Sequence, residues 1–481
     1  MTYEQARLAA IREAYLSQIK LLAARYKPGA RTLVLLPGGM GSELLRSPKK
    51  FSGTSMPLID YQEVWIDLGI MLGDGPKLEI ADDGSDLGNR IVVPAGPFSF
   101  VINPYEDTRR WADQRGDNYV VFGFDWRRSL GECAAHLNQF LLDFQAAITT
   151  KFGGVDPLPT TCLLCHSQGG LVAKLFMTQY AAQARNLERV ITVATPFYGT
   201  TTHMRRYFMG EDLLNSSSAN GGARNVARII ATLPGPYTLM PLDLATFRRD
   251  GAALGLSDYP VRDQHGEARD PYDSSNIGRY PTWISRAHLA SAIAELAMVR
   301  QPLPAALAAK LFHIRAIKDT SKTELEWRPL PADFDPETAP SPLRLKGTAH
   351  GGDGTVPAWS AFLPSTPGSN CVTLPGAKEH LSLMEHPEAL AVIDRLLPPT
   401  APAPKVGPKA RIAPRRAIKA PRKPQISKAQ LHRFEAAVAT LDTRKMDQES
   451  FVKAIARRRA AGVPHPLDAR LWRAAARTLI G

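Results

Sequence analysis

A serine, an aspartate and a histidine stand in this chain in the order and settings that nucleophilic acyl transfer requires. Leu163-Leu164-Cys165-His166-Ser167-Gln168-Gly169-Gly170 is an apolar run that turns at a serine into the helical pattern of residues 171–180. A strand feeding a helix through so tight a turn exposes the serine at the sheet edge, and its neighbours must be small because backbones approach closely there. Glycine usually stands two residues before such a serine; here the small side chain of Cys165 takes that place. A hydroxyl is a poor nucleophile at neutral pH, so it needs a base within hydrogen-bond reach and a third group to orient that base. Downstream, Gly352-Asp353-Gly354 offers an acid in a glycine-rich loop, and Lys378-Glu379-His380-Leu381 offers an imidazole between a strand and a helix. Ser167, Asp353 and His380 are therefore the candidate nucleophile, acid and base. Asp353 has a second reading as an Asx-type turn residue, which Gly-Asp-Gly favours. His386, directly before Pro387, suits a helix cap. His350 suits a solvated position beside the acid loop, and His166 is expected to point away from Ser167 and serve structure.

Attack on an ester builds charge on the carbonyl oxygen, which two backbone amides must receive. One belongs to the residue after the nucleophile, Gln168, and the other to a loop after an early strand. Pro37-Gly38-Gly39-Met40-Gly41-Ser42 fits that loop, with Gly39 as the second donor, because glycine lets a backbone approach substrate closely. A phosphate-cradling loop is the competing reading, but the Gly-Lys-Ser/Thr ending is missing. Cys162 and Cys165 form a C-x-x-C, yet three residues of strand span ~10 Å, beyond the ~7 Å Cα limit of a disulfide. No second pair completes a zinc site, so both are read as core thiols. Asp125-Trp126-Arg127 follows a strand and is read as an anchor for a cap, through an ion pair and aromatic packing. This chemistry calls for no cofactor and no metal.

These residues need a scaffold, and short apolar runs at 32–36, 120–124, 161–165, 190–194, 311–316 and 371–374 supply one. Continuous apolar runs closed by turn residues are the mark of buried parallel strands. Helical patterns at 133–148, 170–184 and 387–397 alternate with them, which predicts an α/β fold with a doubly wound, mostly parallel sheet. An amphipathic surface helix is expected within residues 1–30, with Leu8, Ile11, Tyr15, Ile19 and Leu22 on its apolar face. The main domain spans 31–399. Two intervals within it, about 43–118 and 200–309, are too long for ordinary connections and are expected to form a cap or lid. Apolar residues Ile229, Ile230, Leu233, Tyr237, Leu239 and Met240 of the second interval, with Met40, are candidates to contact an acyl chain. Core burial is the alternative for about half of them.

The joint set of motifs resembles a known family. Pro37-Gly38-Gly39-Met40-Gly41-Ser42, Phe124-Asp125-Trp126-Arg127, His166-Ser167-Gln168-Gly169-Gly170, Thr195-Pro196-Phe197-Tyr198-Gly199, Leu233-Pro234, Leu239-Met240-Pro241, Gly352-Asp353-Gly354-Thr355-Val356 and His380-Leu381 occur in this order. Together they resemble the lecithin:cholesterol acyltransferase-like branch of the α/β hydrolases, which includes lysosomal phospholipase A2 and phospholipid:diacylglycerol acyltransferase. The resemblance covers about residues 33–397. It implies an α/β-hydrolase fold, with Ser167, Asp353 and His380 as catalytic triad and Gly39 and Gln168 as oxyanion donors. It also implies a fatty-acyl ester substrate, plausibly a phospholipid or other glycerolipid, and transfer to water or to an alcohol. Two departures are Cys165 in the elbow and Gly235 after Leu233-Pro234, where the family often has serine.

The 481 residues carry 59 Lys and Arg against 46 Asp and Glu, unevenly placed. Residues 400–481 hold 19 basic and 5 acidic residues, leaving 40 and 41 for the first 399. A near-neutral body thus carries a strongly basic tail. Residues 400–426, rich in Ala, Pro, Lys and Arg, read as an extended linker. Residues 427–481 regain helical patterns at 431–441, 451–461 and 467–479, a small helical module. The tail reads as a solvated linker, as a contact for anionic membrane headgroups, or as a binder of nucleic acid or an acidic partner. Only Phe434, Phe451 and Trp472 offer rings for base stacking, which argues against nucleic acid. No run approaches the ~18 apolar residues of a membrane span, and the expectation is a cytoplasmic protein with peripheral membrane contact. Two alternatives remain: a hydrolase-like scaffold tethered by its tail, and an esterase for a soluble, non-lipid ester.

Overall fold

The computed structural model describes residues 1–54, 56–65, 75–97, 104–210, 223–318, 321–331, 334, 341–347, 351–376 and 378–397. The linker, the three C-terminal helices expected from the sequence, and His350 lie outside them. The described strands are β1 (Thr32–Leu36), β2 (Ser42–Arg46), β3 (Gln62–Trp65), β4 (Val92–Pro97), β5 (Asn118–Val121), β6 (Thr161–His166), β7 (Arg189–Val193), β8 (Val261–Arg262), β9 (Leu311–Ile317), β10 (Glu324–Trp327), β11 (Leu343–Lys346) and β12 (Cys371–Pro375).

Six strands form one parallel sheet in the order β12-β9-β7-β6-β1-β5. Successive residues of a strand face opposite sides, and β1 shows the consequence. Val34 and Leu36 join the core beneath the helices Tyr3–Arg25, Leu130–Lys151 and Gln168–Gln179, while Leu33 and Leu35 join the core beneath Glu106–Arg115 and Pro387–Leu396. Both faces are covered, which is why these strands read as unbroken apolar runs. From β1 the chain runs to β5 on one side and then to β6 on the other. The crevice at this reversal, outside the carboxyl ends of β1 and β6, is where open parallel sheets bind ligands.

The N-terminal helix starts on a capping box between Thr2 and Gln5 and buries Ile11, Tyr15, Ile19 and Leu22. Leu8, expected on that face, is 42% exposed, because the buried stripe passes through Arg7, Ala10 and Ile11 instead. The second main strand also differs from expectation: it begins at Asn118 and its ladder ends at Val121. Phe122 and Phe124 remain buried beyond the ladder, where Gly123 passes so close to Ala95 that a Cβ would stand 1.8 Å from its carbonyl oxygen.

Within the first long interval β2, β3 and β4 form an antiparallel sheet, and Glu106–Arg115 is an ordinary crossover helix against β5. The second interval is mostly helical. Its strand β8 pairs with β10, which pairs with β11, so β10 and β11 extend this layer although the sequence pattern gave no sign of it. No helix among the described residues is long and apolar enough to cross a membrane.

Candidate active site

Ser167 ends β6 and begins the helix Gln168–Gln179, at φ 50° and ψ −124°, a conformation that non-glycine residues rarely adopt. Its N–H donates to the Val193 carbonyl at 2.9 Å, and its carbonyl accepts from Gly170 at 3.0 Å, so the turn is held from both sides. Gly169 is required by proximity: a Cβ there would lie 2.4 Å from the Pro37 carbonyl oxygen. Cys165 is accommodated as a fully buried core residue, and burial pushes its thiol well above the ordinary range, as it does for Cys162. Thiolate chemistry is therefore suppressed at both, in line with their reading as core thiols.

The three candidate residues meet. His380 Nε2 lies 2.9 Å from Ser167 Oγ, and His380 Nδ1 lies 2.7 Å from Asp353 Oδ2. The other oxygen of Asp353 accepts the N–H groups of Thr355 at 3.0 Å and Val356 at 2.7 Å. Both readings of Asp353 thus hold: it closes an Asx-type turn with one oxygen and orients an imidazole with the other. The Asp353 carbonyl also accepts from the His380 N–H at 2.9 Å, which fixes the histidine loop to the acid loop. Ser167 and His380 retain 7% and 8% of their exposure, Asp353 only 1%. A low-dielectric setting of this kind strengthens each polar contact. The arrangement can take a proton from the serine hydroxyl onto His380 Nε2 while Asp353 stabilises the imidazolium.

The loop after β1 lies against the elbow. A Cβ on Gly38 would stand 3.1 Å from Ser167 Cβ, and one on Gly39 would stand 2.8 Å from Gln168 Oε1. Gln168 is the first residue of its helix, so its N–H has no carbonyl one turn earlier to meet. Its side chain donates to the Gly235 carbonyl at 3.2 Å. Gly235 explains one departure from the family pattern. A Cβ there would fall 2.2 Å from the Trp126 carbonyl oxygen, leaving no room for serine.

Residues outside the triad complete the site. His166 does not contact the Ser167 hydroxyl; its Nε2 lies 3.1 Å from the His380 carbonyl oxygen and its Nδ1 lies 3.1 Å from the Tyr105 hydroxyl. A carbonyl only accepts, so Nε2 carries the proton. Burial holds this imidazole well below its ordinary pKa, so Nδ1 is the acceptor for the Tyr105 O–H. The Tyr105 oxygen in turn accepts from the Gly38 N–H at 2.8 Å. A buried chain of hydrogen bonds thus runs from the glycine loop to the backbone of the candidate base. Sequence reasoning placed His166 in a structural role but missed Tyr105, which is 61 residues distant and carries no motif. Thr195-Pro196-Phe197-Tyr198-Gly199 serves as a brace: Phe197 N–H donates to the Ser360 carbonyl at 2.9 Å and Tyr198 N–H to Ser360 Oγ at 3.1 Å, holding the segment after the acid loop.

Asp125, Trp126 and Arg127 touch no member of the triad. Arg127 forks onto Asp125 at 2.9 and 2.7 Å and reaches Asp86 at 2.8 Å, while Trp126 meets Trp65 edge-on at 5.1 Å. They tie the first interval to the body. Leu233, Leu239 and Met240 are buried in the main core together with Ile229 and Ile230. The Tyr237 hydroxyl is committed to the Ala231 carbonyl and the Ser285 N–H. Met40 is half-buried at φ 64°, and its carbonyl accepts from Trp65 Nε1 at 2.8 Å. His386 accepts from the Glu388 N–H as a helix cap.

The family model for lecithin:cholesterol acyltransferase matches residues 108–300. Over that stretch the chain is similar to the lecithin:cholesterol acyltransferases, and its six-stranded parallel sheet flanked by helices is that of an α/β hydrolase. The similarity supports an activity of the acyl hydrolase or acyltransferase kind. The matched stretch holds the elbow and Asp125-Trp126-Arg127, while Asp353 and His380 lie beyond it. No curated protein matches the chain. Among solved structures it is similar to a chain of the Tle4–Tli4 complex, at 14% identity over 78% of this chain and 100% of that one, with a TM-score of 0.50. It is also similar to the Bacillus licheniformis lipase BlEst2 in mature form, at 14% identity over 77% of this chain and 93% of that one, with a TM-score of 0.34.

Proposed function

We propose that this chain is an LCAT-like hydrolase that cleaves a fatty-acyl ester, such as that of a phospholipid or other glycerolipid, through an acyl-enzyme on Ser167. The observation that carries the reading is the unbroken hydrogen-bond chain from a strained serine through His380 to Asp353. Ser167 Oγ attacks the ester carbonyl as His380 Nε2 takes its proton. The amides of Gly39 and Gln168 stabilise the tetrahedral oxyanion. His380 then protonates the leaving alcohol, and a water or an acceptor alcohol, activated by the same imidazole, releases the acyl group. No cofactor takes part in these steps. Apolar side chains of the cap, with Met40, Leu233, Tyr237, Leu239 and Met240 as candidates, would receive the acyl chain on a rearrangement of that layer. The basic tail supports peripheral contact of a cytoplasmic enzyme with anionic membrane surfaces.

Labelling tests this directly. A fluorophosphonate probe is expected to modify the wild type at Ser167, and Ser167→Ala is expected to lose both labelling and ester cleavage. Retained cleavage by the alanine variant would sink the assignment. Product analysis with mixed lipids, with and without an added alcohol, distinguishes hydrolysis from transfer.

A further inference from the structure

The small antiparallel sheet carries a cluster of cations that the proposed acyl chemistry does not use. Arg46 ends β2, between Gln62 of β3 and Val92 of β4, and with Lys77 and Arg90 it lines a pocket that also includes Ser47, Gln62 and Glu63. Among the described residues no carboxylate pairs with either guanidinium. Arg46 gives Nη2 to the Leu87 carbonyl at 2.7 Å and Arg90 gives Nη1 to the Pro48 carbonyl at 2.8 Å. Arg46 Nε is buried without a hydrogen-bond partner.

The neighbouring acids do not relieve this. Asp86 is saturated by Arg127, Arg128, the Tyr3 hydroxyl and the Val92 N–H, and Asp125 by Arg127. Arg46 and Arg90 are thus left with backbone carbonyls as their only hydrogen-bond acceptors among the described residues. Burial and the adjacent Arg90 both press the Arg46 pKa down, which is the mark of a site short of negative charge. A guanidinium offers a planar fork of donors that matches oxyanions best.

We propose that the pocket between Arg46 and Arg90 binds a phosphate-type oxyanion, received by the free guanidinium edges. The site is separate from the triad yet joined to it: β2 leaves directly from the Gly38–Gly41 turn, and Arg46 stands about 13 Å along the strand from Ser42. The phosphate comes either from a lipid headgroup or from free phosphate, and two measurements separate these sources.

The first is a calorimetric titration of the full chain with inorganic phosphate, which has no turnover readout and so stands apart from the proposed acyl chemistry. The doubly substituted Arg46→Gln/Arg90→Gln protein is expected to bind phosphate about tenfold more weakly. Glu63→Gln, which removes the one acid lining the pocket, is expected to bind it several-fold more tightly, on the order of a single screened charge. A gain of this kind cannot come from misfolding. The second measurement compares KM for monomeric short-chain phosphatidylglycerol with KM for an uncharged acyl ester. A rise in their ratio in the double variant assigns the site to the headgroup; an unchanged ratio, with weaker phosphate binding, assigns it to free phosphate. Equal phosphate affinity in wild type and double variant, or weaker binding by Glu63→Gln, overturns the site.

Discussion

Two buried charge clusters lie on loops at the carboxyl edge of the sheet, and they differ in how their charges are met. In the first, Arg127 spends Nε, Nη1 and Nη2 on Asp125, Asp86 and the Leu78 carbonyl, and Arg128 adds to Asp86 at 2.7 Å. Each nitrogen of the Arg127 guanidinium there ends on an acceptor that will not let go. In the second, one carboxylate is held by two amides and one imidazole, and the chain of hydrogen bonds ends on a serine hydroxyl in a strained turn. Burial and charge are common to both. The difference is a proton with somewhere to move, which only the second cluster has.

The largest expected effect breaks the second cluster. Asp353→Asn would keep the turn's acceptor while removing the charge that stabilises an imidazolium on His380, and kcat is expected to fall about 10⁴-fold. Steady-state turnover of a soluble ester measures this, with folding checked by circular dichroism. Unchanged turnover would place the acid elsewhere. The first cluster should respond in the opposite currency. Arg127→Ala leaves Asp125 and Asp86 buried and short of a partner, so unfolding free energy is expected to drop by about 3–5 kcal/mol. Urea denaturation reads that loss, while kcat of the folded fraction stays within a few-fold of wild type. A collapse of kcat in well-folded Arg127→Ala protein would mean that the two clusters are not separable as structure and chemistry.

A third group sharpens the contrast between imidazoles. His313 on β9 is fully buried, with Nδ1 2.8 Å from the Thr192 hydroxyl and Nε2 3.0 Å from the Thr366 hydroxyl, and no carboxylate pairs with it among the described residues. Burial, with Lys174 and Arg315 nearby, pushes its pKa down from 6.5 to about 3. The folded state then refuses a proton that the unfolded state takes, so stability is full above pH 6.5 and declines as pH falls toward 3. Between pH 6.5 and 5 the loss from this residue is about 2 kcal/mol. His313→Gln should flatten the pH dependence of urea midpoints by that amount; an unaltered slope would show that His313 protonates freely in the native state.

How much of this was readable in the sequence follows from the range of the interactions. The elbow, the order of Ser167, Asp353 and His380, and the six main strands rest on local apolar runs and turn residues, which a linear reading captures. The ladder of β5 starts two residues and ends three residues before the apolar run 120–124, because Phe122 and Phe124 look like strand yet are buried beyond the ladder, Phe122 against Tyr15 and Phe140. Strand β8 is two residues long and pairs across more than sixty residues with β10, so no periodicity marks it. Gly235 looked like a departure and is a steric necessity set by the Trp126 and Arg128 carbonyls. Contacts between distant loops leave no trace in a pattern of polar and apolar residues.

The smallest expected effect concerns such a contact. Tyr105→Phe removes one oxygen from the buried chain that joins the Gly38 N–H to His166 and, through it, to the His380 carbonyl. The ring itself still fits the core, so the cost is one stranded donor and one stranded acceptor, about 1–3 kcal/mol. Part of that cost falls on the geometry of the candidate oxyanion loop and base. A purely structural role would lower the melting temperature and leave the kinetics of the folded enzyme alone. A positioning role would lower kcat about tenfold with KM nearly unchanged, because the transition state depends more steeply on alignment than substrate binding does. His166→Gln should give a similar split, since Gln can still donate to the His380 carbonyl but cannot reproduce the rigid span between its two partners. If both variants lose stability and keep full kcat, the chain from Tyr105 to His380 belongs with Arg127 among the saturated scaffolding, and the line between the two clusters runs immediately outside the triad.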